Sequence, residues 1–171
     1  STMEHNALRR PALSLAGKGV TVDCFTGYGS EEEIVSSFSA RLVRKPDLAA
    51  FLYTSNVCPQ TLPVGRLCAL CRAAGVLSVV DCAQAAGHRR LDMQALGADA
   101  LVIPSHKGLM GIAGAGILLC GEKMKRALEN ASFGSVAVII GPEGGFTKEE
   151  AEKPKNRQIV YYTGMIPEMD T

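Results

Sequence analysis

Lys107 stands in the run Ser-His-Lys-Gly-Leu-Met-Gly at residues 105–111, directly after a short apolar stretch. The glycines at 108 and 111 let the backbone turn tightly and set the amine in a partly desolvated pocket. A lysine so placed can give up its proton and act as a Schiff-base nucleophile; the plainer reading is a solvated loop lysine. Asp81 closes another apolar run, Leu-Ser-Val-Val-Asp at 77–81, where a carboxylate must find a cation or a hydrogen-bond donor. A protonated pyridine nitrogen meets that need, and the carboxylate then keeps the ring protonated as an electron sink. The plainer reading there is a helix cap or loop acid. Gln84, three residues on, carries an amide able to donate to a phenolate oxygen. His5, in Glu-His-Asn-Ala, offers a flat ring to stack on a flat cofactor, an acid/base group near neutral pH, or merely a satisfied loop side chain.

Such residues act together only if the fold gathers distant positions. Residues 19–25 alternate apolar and polar as a half-buried strand does. Ser30 to Glu33 forms a capping box that opens a helix running to about Val43. An apolar strand follows at 48–54, then a helix at 63–74 stopped by Gly75. Further strands are predicted at 77–81, 100–103 and 116–120, with helices at 91–96 and 122–130. Beyond residue 130 the pattern gives a strand at 135–140, a second capping box at 147–150 and a strand at 158–162. This rhythm predicts an α/β fold with a largely parallel sheet flanked by helices, whose ligands bind at the carboxyl ends of the strands. The polar clusters lie there: Ser55-Asn56, the loop from Asp81 to His88, and Ser105-His106-Lys107.

Composition narrows the function classes. A chain of 171 residues with 47% hydrophobic and 20% charged residues can bury one sizeable core, so one domain with a short appendage is expected. Eighteen Lys+Arg against 17 Asp+Glu give a net charge of +1, which offers no global field for nucleic acid or an anionic membrane. The longest plainly apolar run, 136–140, falls far short of the roughly 20 residues of a membrane span, and no secretory h-region opens the chain. The six cysteines, at 24, 58, 68, 71, 82 and 120, sit mostly in apolar stretches and suit a reducing, cytoplasmic compartment. Cys68-x-x-Cys71 has no second ligand pair, so core packing is expected rather than metal or redox work. Aromatic residues are 5% with no Trp, which speaks against base- or sugar-stacking platforms.

Taken together, His5, Ser55-Asn56-Val57, the run from Val80 to His88 and the run from Ser105 to Gly111 resemble the motifs of fold-type I pyridoxal-phosphate enzymes, in order and in spacing. The likeness is to the class V aminotransferases, nearest the cysteine desulfurase and selenocysteine lyase branch, and covers roughly residues 1–128. The resemblance implies an enzyme acting on an amino acid, with Lys107 as the aldimine lysine that also shuttles the α-carbon proton. It implies Asp81 at the pyridine nitrogen, Gln84 at the ring hydroxyl and His5 on the ring face. Asn56 would bond the ring hydroxyl or the substrate carboxylate, His106 with Ser105 the phosphate, while His88 orients its loop. A homodimer is implied in the same way. The chain departs from the pattern at Pro59, where the family usually has Gly, and at Pro104, where a hydroxyl is frequent. The family's Gly/Thr-rich phosphate loop, its small C-terminal domain with the carboxylate-binding arginine, and a desulfurase's nucleophilic cysteine have no match here. The chain, opening at Ser1, is therefore expected to be truncated or chimeric, with an incomplete site.

A second resemblance lies in Val-Ala-Val-Ile-Ile-Gly-Pro-Glu-Gly-Gly-Phe-Thr-Lys-Glu-Glu at 136–150, similar to knotted SPOUT-type RNA methyltransferases. It implies that Gly141, Pro142, Glu143, Gly144 and Gly145 line an S-adenosylmethionine pocket; a tight turn between strand and helix is the plainer reading. The domain division expected is a cofactor-binding core at 1–130 and an appended segment at 131–171. Three functions follow: a pyridoxal-phosphate enzyme core, an S-adenosylmethionine-dependent RNA methyltransferase fragment, and an inert folded scaffold. Nucleic acid is a partner only under the second, and no membrane or metal under any.

Overall fold

The computed structural model describes residues 1–130 together with the backbone of two short strands, Val136–Val138 and Ile159–Tyr161. Four strands, β1 (Leu48–Leu52), β2 (Leu77–Asp81), β3 (Ala100–Pro104) and β4 (Gly116–Cys120), form one sheet in that spatial order. The first three run parallel, with Leu52 opposite Asp81 and Asp81 opposite Val102, while β4 returns antiparallel along β3. Parallel neighbours need crossovers. The helices are α1 (Asn6–Ala16), α2 (Glu31–Leu42), α3 (Val64–Ala74), α4 (Met93–Leu96) and α5 (Glu122–Asn130). α3 joins β1 to β2, and α4 joins β2 to β3. The α/β fold with a largely parallel sheet flanked by helices is the architecture observed. The short strands at 136–138 and 159–161 pair parallel with each other in a separate ribbon.

Local sequence explains most of these elements. At the start of α2 the Glu33 N–H donates to the Ser30 hydroxyl at 3.3 Å and the Ser30 N–H donates to the Glu33 carboxylate at 2.7 Å. Such a box is worth about 1 kcal/mol. The helix then buries Ile34, Phe38 and Leu42. Phe38 meets Phe25 and Phe51 edge-on at centroid distances of 4.8 and 5.7 Å, which locks α2 over β1. α3 ends at Gly75, whose φ of 72° is the left-handed cap a glycine supplies. It buries Leu67, Cys68 and Cys71 against the core, and burial pushes the two thiols up to about 11 and about 12. They are packing groups, as expected. Ser78, buried in β2, is satisfied by Asp99: its amide and hydroxyl both donate to the Asp99 carboxylate, at 2.9 and 3.0 Å.

Two expectations need correction, at 19–25 and at the end of β1, and one helix is additional to those predicted. Residues 19–25 form no strand, because no neighbouring strand pairs with them; the Thr2 N–H donating to the Phe25 carbonyl is an isolated tie, and Val20 stays 48% exposed. Residues 6–16, left unassigned by the sequence pattern, are helical despite Pro11, which has no N–H to return to the preceding turn. β1 stops at Leu52 rather than at 54, because Thr54 turns away to bridge Thr61. Among the described residues no helix is long and apolar enough to cross a membrane.

Candidate active site

The parallel strands β1, β2 and β3 end side by side, and the loops leaving them line a narrow cleft open to solvent. After β1, Ser55 organises its loop by accepting the Val57 and Cys58 amides on its hydroxyl, at 3.1 and 3.3 Å, leaving Asn56 at the rim. After β2, successive turns from Cys82 to Arg89, closed by Ala85 and Ala86 amides donating to the Cys82 carbonyl, carry Gln84 inward. After β3, the Met110 N–H donates to the Lys107 carbonyl at 2.8 Å and the Gly111 N–H to the Ser105 carbonyl at 2.7 Å, a tight turn that presents Lys107. The last two loops touch through glycine. A Cβ on Gly108 would strike the Ala86 carbonyl, and one on Gly87, at φ 80°, would strike the carbonyl of Gly108.

His5, Leu52, Thr54, Asn56, Asp81, Ala83, Gln84 and Lys107 line the cleft. Five of these, His5, Asn56, Asp81, Gln84 and Lys107, were singled out from the sequence, and the fold brings them together from positions 102 residues apart at the extremes. Asp81 accepts the Ala83 N–H on Oδ1 at 2.8 Å. Burial pushes the Asp81 carboxyl above its usual range, the Ala83 bond opposes that, the charge of Glu4 adds to it, and the charges of Lys107 and His5 oppose it. His5 caps α1, accepting the Ala7 N–H on Nδ1 at 3.1 Å, which fixes the ring at the helix start.

Ser105 and His106 flank Lys107 without lining the cleft. The Ser105 hydroxyl donates to the Ile112 carbonyl inside its own loop. His106 Nδ1 is buried and has no partner among the described residues, a polar atom that calls for a hydrogen-bonding group. Sequence reasoning missed Thr54, Leu52 and Ala83, which reach the cleft as neighbours of a strand end, and the buried carboxylate of Glu4. His88 is exposed, with its ring beside Gly108. The Gly141–Gly145 loop, with Pro142, Glu143 and Gly144, falls outside the described residues.

The cleft's side chains fit a flat, phosphorylated pyridine aldehyde in their chemistry: an amine, a carboxylate with one oxygen uncommitted, two amides and an imidazole, with the orphaned His106 nitrogen beside Lys107 but outside the lining. Residues 1–149 match the family described as Aminotransferase class-V, a match that runs across the Gly141–Gly145 segment. The chain is 32% identical over 148 residues to a probable cysteine desulfurase of Methanothermobacter thermautotrophicus, covering 86% of this chain and 37% of that protein. It is 36% identical over 117 residues to a cysteine desulfurase of Yersinia pestis, covering 68% of this chain and 29% of the relative. The apo structure of a cysteine desulfurase from Thermococcus onnurineus superposes with a TM-score of 0.64 at 30% identity, over 71% of this chain and 30% of that one. The chain thus spans roughly a third of the length of the curated relatives it matches.

Proposed function

Because the chain belongs to the class V aminotransferase family of pyridoxal-phosphate-dependent enzymes, we propose that residues 1–130 are the cofactor-binding core of an enzyme acting on an amino acid, of desulfurase or lyase type. The observation that carries this reading is that Lys107 and Asp81 line one cleft together with His5, Asn56 and Gln84. Pyridoxal phosphate, when bound, supplies an aldehyde for covalent capture of an amine and a ring that draws electrons from the carbon beside it. Lys107 is the amine that anchors the cofactor and the base that takes and returns the proton at the substrate α-carbon. Asp81, with Oδ1 held by Ala83, keeps its other oxygen for the ring nitrogen and holds a proton there. The Gln84 amide donates to the ring hydroxyl oxygen, and Asn56 to the same oxygen or to the substrate carboxylate. His5 covers the ring face, and its fixed Nδ1 bond keeps the imidazole from turning. His106 receives the phosphate with its unpartnered nitrogen, joined by Ser105 once its hydroxyl leaves Ile112. The whole enzyme's reaction, its amino acid and a homodimeric assembly are part of the same proposal.

The experiment is an absorbance titration. Purified protein with added pyridoxal phosphate is expected to develop a band at the edge of the visible, and Lys107→Ala is expected to abolish it. No band with the wild-type chain refutes the reading.

A further inference from the structure

Glu4 has no part in the roles above, although its side chain is only 7% exposed. Its Oε1 accepts the Leu52 N–H at 3.2 Å, together with the Ser1 hydroxyl. Oε2 is buried and meets no hydrogen-bond partner among the described residues. A buried carboxylate oxygen without a donor is unfavourable, so the contacts of Oε1 must offset it.

One of those contacts, to the Leu52 amide, ties the segment carrying Glu4 to a residue that lines the cleft. Leu52 ends β1, lines the cleft and is the register partner of Asp81 across the parallel pair. The Tyr53 N–H, next along, donates to the Asp81 carbonyl at 2.8 Å, while the Leu52 N–H points the other way, off the sheet, and Glu4 takes it. His5, the residue after Glu4, lines the same cleft. The other ties of this segment run elsewhere: the Thr2 N–H donates to the Phe25 carbonyl and the Gly27 N–H to the Thr2 hydroxyl. Among the described residues, the Glu4–Leu52 bond is the hydrogen bond that fastens residues 1–5 to the sheet.

We propose that Glu4 is a positioning residue, whose carboxylate, bonded to the Leu52 amide, sets His5 at a fixed height over Asp81 and so fixes the width of the slot between them. The inference rests on the cofactor reading, since a slot of set width matters when a flat ring must enter it. The geometric tie itself belongs to the chain alone.

Glu4→Ala removes the acceptor, whereas Glu4→Gln keeps an oxygen for the Leu52 amide and drops the charge. In cofactor-free protein, the Leu52 amide is expected to exchange with solvent about tenfold faster in Glu4→Ala relative to the Val80 amide, which lies in the buried β2 and reports general loosening. The His5 imidazole resonances should move toward those of an unstructured peptide. Glu4→Gln should stay within about threefold of wild type in exchange. In the titration with pyridoxal phosphate, Glu4→Ala should weaken binding about tenfold and diminish the circular dichroism of the cofactor band, and Glu4→Gln should restore both. The proposal is overturned if Glu4→Ala leaves Leu52 exchange and the His5 resonances unchanged, or if Glu4→Gln is as impaired as Glu4→Ala. Should the wild-type chain bind no pyridoxal phosphate, the cofactor reading fails by itself, and the exchange and imidazole measurements still decide whether Glu4 positions His5.

Discussion

Gly108→Ala puts a methyl group at the place where the loops after β2 and β3 press together. The new Cβ would strike the Ala86 carbonyl oxygen and lie 3.0 Å from two atoms of the His88 ring. The exposed ring can swing aside. The carbonyl cannot, because the turn carrying it is closed by the Ala86 N–H donating to Cys82 at 2.9 Å and the Arg89 N–H donating to Ala85 at 2.8 Å. Relief must therefore come from the loop at 105–111, and ordinary contact at 3.4 Å or more requires that loop to retreat by about an ångström or more. Overpacking of this kind costs about 1–3 kcal/mol. At about 2–4 °C per kcal/mol for a chain of this size, melting by circular dichroism should fall by roughly 2–12 °C. The functional effect should be larger in proportion, because Lys107 is the adjoining residue and a reactive group displaced by about 1 Å can lose on the order of a hundredfold in rate. Growth of the pyridoxal-phosphate band after rapid mixing measures that loss. Gly65→Ala is the control: its Cβ would have nothing within 4 Å, so it should leave both readouts unchanged or raise the melting temperature slightly. A Gly108→Ala protein that melts with wild type and forms the band at the wild-type rate refutes the argument that this contact positions the lysine.

Two further outcomes follow from burial. Thiol alkylation of the folded chain at neutral pH, mapped by peptide mass spectrometry, should mark Cys58, whose thiol is lowered by hydrogen bonding with Ser55, and spare Cys68, Cys71 and Cys82, pushed up by burial to about 11, 12 and 12. Equal labelling of Cys58 and Cys82 would contradict it. Asp81→Asn should raise the melting temperature of the cofactor-free chain at pH 7 while weakening cofactor binding. Burial raises the folded carboxyl above its usual 3.8, so its favourable contribution is full below that value and is lost as pH rises through the folded one. The gain from Asp81→Asn should therefore shrink as melts are taken toward pH 3.5, and a substitution that destabilises equally at every pH would overturn the sign.

The same distinction between local and distant causes separates what the sequence disclosed from what it hid. Ser30 with Glu33, and Gly75 after α3, act through neighbours three or four residues away, so those helix limits were readable. Lys107, Asp81 and Asn56 were readable because Asp81 ends an apolar strand and the other two follow one, and parallel pairing by itself brings strand ends to one rim. The alternation at 19–25 states which face of a strand would be buried, but pairing needs a neighbour, and the pattern does not say whether one lies alongside. α1 was hidden by Pro11 and by an apolar stripe too sparse to bury any residue fully. Glu4 was hidden for a different reason: its partner, the Leu52 amide, lies 48 residues away and carries no side-chain signature at all.

The glycines at 87 and 108 fall between these cases. Each reads locally as a turn residue, yet the tighter constraint on each is the backbone beside the other. Lys107 and Asp81 could therefore both be retained in a chain that no longer brings them together, since the letters that carry the chemistry are distinct from the missing side chains that let the loops close. The turn that presents Lys107 is bounded by that absence of side chains at Gly87 and Gly108.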